Sequence, residues 1–149
     1  MILIKHNAIF LGAYTLICSI FWVLSGLLAP IMENNSDNMY LVTVIVSLST
    51  LAMLCTCFFC GKLLGYNTKN IVLNMLSSLV ILIVIAVSTY FTMTNPKLIV
   101  GSAIFRFLVG AVFMITTYVS NVFKISQTIC LNVFVFLPYV AFTIGAAVR

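Results

Sequence analysis

Formal charge is what this chain most lacks. Only 6% of its 149 residues are charged, against roughly 25% in an ordinary soluble domain, which is too few to clothe a water-facing surface. Two of those charges are acids, Glu33 and Asp37, and they share one short polar stretch. No Asp, Glu or Lys falls inside a long apolar run, so no run carries a carboxylate fit to shuttle a proton or hold a cation. Histidine occurs once, as His6, and there is no Ser-His-Asp set, no H-E-x-x-H and no glycine-rich phosphate loop. Hydrolysis and phosphoryl transfer therefore have no machinery, and no cofactor or metal is expected. The net charge is +5, yet no Lys/Arg cluster exists to meet phosphates, which sets nucleic acid aside as a partner.

What is present is apolar sequence, 64% of the chain, gathered into runs longer than the ~18 residues at which a transmembrane helix is the default reading. The expected fold is all-α: a polytopic membrane helix bundle forming one domain over residues 1–149, with spans at about 8–32, 39–61, 71–93, 98–120 and 125–148. The first run is about twice the length of a signal-peptide core, so it reads as an uncleaved span. ENNSDN (33–38), KLLGYNTKN (62–70), TNPK (94–97) and 121–124 are the loops, too short for consecutive helices to be anything but antiparallel neighbours. Gln127, Asn132 and Pro138 dilute the last run. Four crossings plus a re-entrant or broken helix is the alternative, and it would return Arg149 to the side of the N-terminus. Pro138 should kink that run and free a carbonyl near Phe134.

Lysine and arginine bias sets the orientation. Lys5, Lys62, Lys69 and Lys124 fall on one side of five crossings and Lys97 and Arg149 on the other with both acids, so the N-terminus is expected in the cytoplasm of a cell membrane. Tyr40 and Tyr90 then lie near the outer boundary, and Tyr66 and Tyr118 near the inner one. Polar residues recur at helical spacing: Tyr14, Cys18 and Ser25; Thr43, Ser47, Thr50 and Cys57; Asn74, Ser77 and Ser78; Ser102, Arg106, Gly110, Thr117 and Asn121; Thr128, Asn132, Tyr139 and Thr143. Because lipid offers no hydrogen bonds, these stripes should face the bundle interior, where they serve as packing glue. Ala8 with Gly12 and Ala141 with Gly145 are small-xxx-small pairs that permit close approach. Gly61 and Gly65 have the same spacing, but the pair straddles a helix end and is discounted.

Arg106 stands alone among the charges, roughly 12 Å along a helix from Leu98 and so near mid-membrane. A guanidinium there costs ~2.5 kcal/mol or more and should face a partner, a wet cavity or a ligand. The functional reading is a substrate-binding set of Arg106, Ser102 and Asn132 that holds an anionic group. The structural alternatives are a pair with Glu33 or Asp37, or a side chain reaching the interface. Five cysteines include the C-x-x-C of Cys57 and Cys60, embedded in Phe and Leu where thiols act mainly as small apolar residues. Thiol-disulfide chemistry is thus a remote third reading, and the chain is not expected to be an enzyme.

The span number and chain length, with Trp22 followed by Ser25-Gly26 in the first run, resemble the half-size members of the drug/metabolite transporter superfamily. That resemblance implies a helical transporter and transfers no site residue. Small immunity and exclusion proteins share the size range. The expectation is a transporter or flippase-like protein for an anionic or anion-headed, lipid-linked substrate. It would sit in the lipid bilayer as a homo-oligomer or with a larger membrane-protein partner, since one subunit leaves little room for a cavity. The runner-up is a non-catalytic interaction protein, either an immunity factor or an accessory subunit.

Overall fold

The structure is a computed structural model that describes residues 2–35, 37–65, 71–76, 78–94, 108 and 111–148. Ser102 and Arg106, the turn at Pro96 and Lys97, Tyr66, Lys69 and Arg149 lie outside the described residues. The described residues are helical, with no strand among them: α1 (Ile2–Asn34), α2 (Met39–Leu64), α3 (Ile71–Leu76), α4 (Leu79–Thr94), α5 (Phe113–Phe123), α6 (Gln127–Phe134) and α7 (Leu137–Ala147). Three stretches are long and apolar enough to cross a membrane, namely Ile4–Asn34, Met39–Leu64 and Gln127–Ala147. Even the shortest, at 21 residues, spans the ~30 Å of a hydrocarbon layer.

Side-chain amides set the first reversal. Asn35 Nδ2 donates to the Ile31 carbonyl at 2.8 Å, closing α1, while Asn38 Oδ1 accepts from Leu41 N at 3.2 Å, opening α2. The connection therefore shrinks to residues 35–38, and Glu33, read from sequence as a loop residue, belongs to the last turn of α1. Glutamate is a good helix former, so nothing at that position stops the helix before the asparagines do. The last run breaks where Pro138 requires it. Val135 and Phe136 separate α6 from α7, and Phe136 N turns to the Val133 carbonyl at 3.4 Å.

Among the described residues the tightest glycine contacts join α2 to α7. A Cβ on Gly61 would press on the Phe142 carbonyl oxygen and lie 2.9 Å from its carbon, and a Cβ on Gly145 would press on the Phe58 carbonyl oxygen. Gly65, the residue after α2, would bring its Cβ to 3.0 Å from the Ala146 carbonyl oxygen. The Gly61 and Gly65 pair is thus part of a close helix crossing, correcting the reading that discounted it. A helix end can pack as tightly as a helix middle, here with glycine on α2 set against the backbone of Phe142 and Ala146. Gly12 meets nothing within 4 Å, so the Ala8 and Gly12 pair is not used in this way.

Contacts at the two ends fix which way each helix runs. Val80 N donates to Asn7 Oδ1 at 3.4 Å and Ser78 Oγ lies 3.2 Å from Thr143 Oγ1. The starts of α1 and α4 and the end of α7 therefore share one end, here called the near end. At the far end, around the α1–α2 connection, Tyr118 Oη lies 2.8 Å from Thr43 Oγ1, and Gln127 Nε2 donates to Thr117 Oγ1 at 3.2 Å. The aromatic pattern places Tyr118 and Tyr40 at opposite boundaries; the structure puts both at the far end. Lys124, in the left-handed conformation at φ 53°, reverses the chain there.

The core runs between these ends. Phe10, Tyr14, Ile17, Cys18 and Phe21 line one face of α1 against Met53, Cys57, Ile81, Ile85, Val112 and Phe142. Phe142 stands edge-on to Phe10 at 5.3 Å and to Tyr14 at 6.0 Å. The α1 stripe of Tyr14, Cys18 and Ser25 is buried as its spacing implies. The α2 stripe is buried only in part: Cys57 is buried, Thr43 and Thr50 are half-buried and Ser47 is exposed, while Val42, Val46, Met53 and Gly61 take the rest of the interior. Hydroxyls on α2 also bond locally, Thr43 to the Met39 carbonyl at 2.6 Å beside its contact with Tyr118, and Thr56 to the Ala52 carbonyl at 2.7 Å.

Two outcomes follow from this packing. Gly61→Ala should destabilise the protein by about 1–3 kcal/mol through overpacking, while Gly12→Ala should be neutral or gain up to about 1 kcal/mol of helix propensity. Thermal unfolding in micelles measures both, and equal effects would refute the crossing. Single cysteines placed at Asp37 and Lys124 in a cysteine-free chain should label from the same side with a membrane-impermeant maleimide. Labelling from opposite sides would contradict the shared far end.

Candidate functional site

A cleft opens at the far end where the last turns of α1, the first turn of α2 and the length of α5 converge. Its volume is about 370 Å³, within the range of small-molecule sites. Ala29, Met32, Val42, Phe113 and Met114 build the apolar wall; Glu33, Thr117, Tyr118 and Asn121 supply the polar groups. Local structure explains each placement. Met32 and Glu33 stay on α1 because the helix continues to Asn34, and Thr117 and Asn121 share a face of α5 one turn apart.

The polar groups are held in defined ways. Thr43 commits its only hydroxyl proton to the Met39 carbonyl, so the Tyr118 hydroxyl donates to Thr43 Oγ1 and keeps its own lone pairs for another donor. Gln127 donates to Thr117 from the start of α6, tying the reversal after α5 to the cleft wall. Glu33 is exposed at the mouth and forms no ion pair among the described residues. Such an arrangement can seat an apolar body along α5 while a polar head meets acceptors at the rim.

Of the residues assigned to a substrate site from sequence, Arg106 and Ser102 lie outside the described residues. Asn132, half-buried on α6, does not line the cleft. Thr117 and Asn121 do line it, and their common stripe was visible in the periodicity. Glu33 and Tyr118 were not recognisable as site residues, because no local pattern reveals that α5 returns beside the α1–α2 connection. The expectation that one subunit leaves little room for a cavity meets a cleft of about 370 Å³ lined by described residues of α1, α2 and α5. Among the described residues no three His, Cys, Asp or Glu side chains gather as a metal site. The cysteines are free thiols, with Cys18, Cys57 and Cys130 buried.

Compared with family models, with curated proteins and with solved structures, the chain finds no match in any of the three.

The anchoring of Tyr118 is open to test. Tyr118→Phe and Thr43→Val should each lower stability by about 1 kcal/mol, and the double substitution should cost less than the sum. Strict additivity in thermal unfolding would deny the bond.

Proposed function

We propose that this chain is a small multi-pass membrane protein that takes an amphiphilic molecule into the far-end cleft and passes it into or across the bilayer, in the manner of a transporter or flippase. The observation that carries this reading is the cleft itself: a methionine-rich apolar lining that also carries Glu33, Thr117, Tyr118 and Asn121, set among described helices whose exposed faces are largely apolar and suited to lipid. α1, α2, α4 and the 127–147 stretch make four crossings in this reading, with both ends of the described chain on one side; the alternative read from sequence instead took the last run as the re-entrant or broken one. Among the described residues Lys5 and Lys62 mark the near end, while Lys124, expected on the side of Lys5, joins Glu33 and Asp37 at the far end; the remaining lysine bias favours a cytoplasmic N-terminus and a cleft facing outward in a cell membrane. An anionic head depends on Arg106, and the cleft lining contributes no basic side chain.

The test is occlusion. Ala29→Trp, at the cleft wall, should weaken binding of the neutral probe Nile red to protein in phosphatidylcholine nanodiscs by tenfold or more (about 1.4 kcal/mol). Ile20→Trp, on an exposed face of α1, should leave it unchanged. Equal binding by both variants would end the cleft reading.

A further inference from the structure

We infer that the near end binds anionic phospholipid headgroups of the surrounding leaflet through Lys5 and Lys62. This binding surface is separate from the far-end cleft and needs only that the long apolar helices lie in a bilayer.

Charge is divided unevenly between the two ends. The whole sequence holds two acidic side chains, Glu33 and Asp37, and both belong to the far end, in the last turn of α1 and the connection that follows it. No acidic side chain is therefore left for the near end, whichever residues gather there. Lys5 stands exposed in the first turn of α1, and Lys62 stands exposed in the last turn of α2. Lys69, outside the described residues, belongs by chain position to the connection between Gly65 and Ile71 and adds the same sign. Helix poles leave this balance unchanged. α1 and α4 begin at the near end while α2 and α7 finish there, so partial charges of about half an elementary charge at each terminus offset one another. The neighbours of each lysine indicate the kind of anion. Ile4 is 75% exposed beside Lys5, and Phe59 and Leu63 are 59% and 73% exposed around Lys62. An exposed apolar side chain next to an exposed ammonium suits a bilayer boundary, where the first enters the acyl chains and the second reaches up to phosphate. A soluble anion would use the lysines and leave the apolar neighbours in water. An anionic lipid engages both.

The deciding experiment puts one tryptophan at either end of the full chain, with the native Trp22 replaced by Trp22→Phe. Leu63→Trp reports the near end, and Tyr40→Trp, at a position 81% exposed, reports the far end. Quenching is read in phosphatidylcholine vesicles containing dibrominated phosphatidylglycerol or, in parallel, dibrominated phosphatidylcholine. At Leu63→Trp in low salt, phosphatidylglycerol should associate about five- to thirtyfold more strongly than phosphatidylcholine, at roughly fivefold for each lysine near the headgroups. Combining Lys5→Gln with Lys62→Gln should bring that preference to within about twofold, whereas Lys5→Arg with Lys62→Arg should retain it. Tyr40→Trp should show no preference beyond about twofold, because the acids lie at its end. Inorganic phosphate at constant ionic strength should leave the near-end quenching unchanged. Equal association of the two lipids at Leu63→Trp, the result expected if these lysines served an acidic protein segment, overturns the inference. So does a preference that survives loss of both lysines, one equally large at Tyr40→Trp, or displacement of the lipid by inorganic phosphate. None of these outcomes depends on Nile red entering the cleft, so the lipid assignment and the cleft reading stand or fall separately.

Discussion

The backbone-to-backbone crossing of α2 and α7 is the constraint from which the rest of the arrangement follows. Lipid tails are as apolar as leucine, so helices inside a bilayer gain little from hiding apolar side chains and associate through close van der Waals fit. Gly61 and Gly145 provide that fit by removing the side chains that would hold the axes apart. Once α7 lies against α2, Phe142 is carried to Phe10 and Tyr14, and Thr143 to Ser78 at the head of α4. One crossing thereby fixes the near ends of α1, α2, α4 and α7 together.

At the far end no comparable glycine contact exists among the described residues, and polar side chains do the positioning. Tyr118 to Thr43 and Gln127 to Thr117 hold α5 and α6 where a few hydrogen bonds, rather than a close fit, set the spacing. The cleft occurs at this more loosely packed end. Tight packing at one end and an opening at the other are two aspects of one division of labour: the first makes a rigid frame, the second leaves volume for a guest.

The helical class and the approximate limits of the first two long helices were legible from apolar run lengths alone, and Pro138 announced the break between α6 and α7. The interior face of α1 could be read from Tyr14, Cys18 and Ser25. The same logic held only in part on α2, where Cys57 is buried but Ser47 is exposed, and where Thr43 bonds a carbonyl of its own helix as well as Tyr118. Sequence spacing also cannot register a chain reversal between distant segments. Tyr118 and Thr43 are 75 positions apart, and nothing local to either announces the other. That is why Thr117 and Asn121 could be assigned to one face while the acid they accompany, Glu33, was missed.

The left-handed residue at Lys124 has a consequence at the level of gene architecture. By turning α5 into α6 at the far end, it lets the 127–147 stretch finish beside the point where α1 begins. Two such units joined tail to head would face the same way without an extra connecting helix, so tandem fusion would yield a parallel pair of clefts rather than an inverted one.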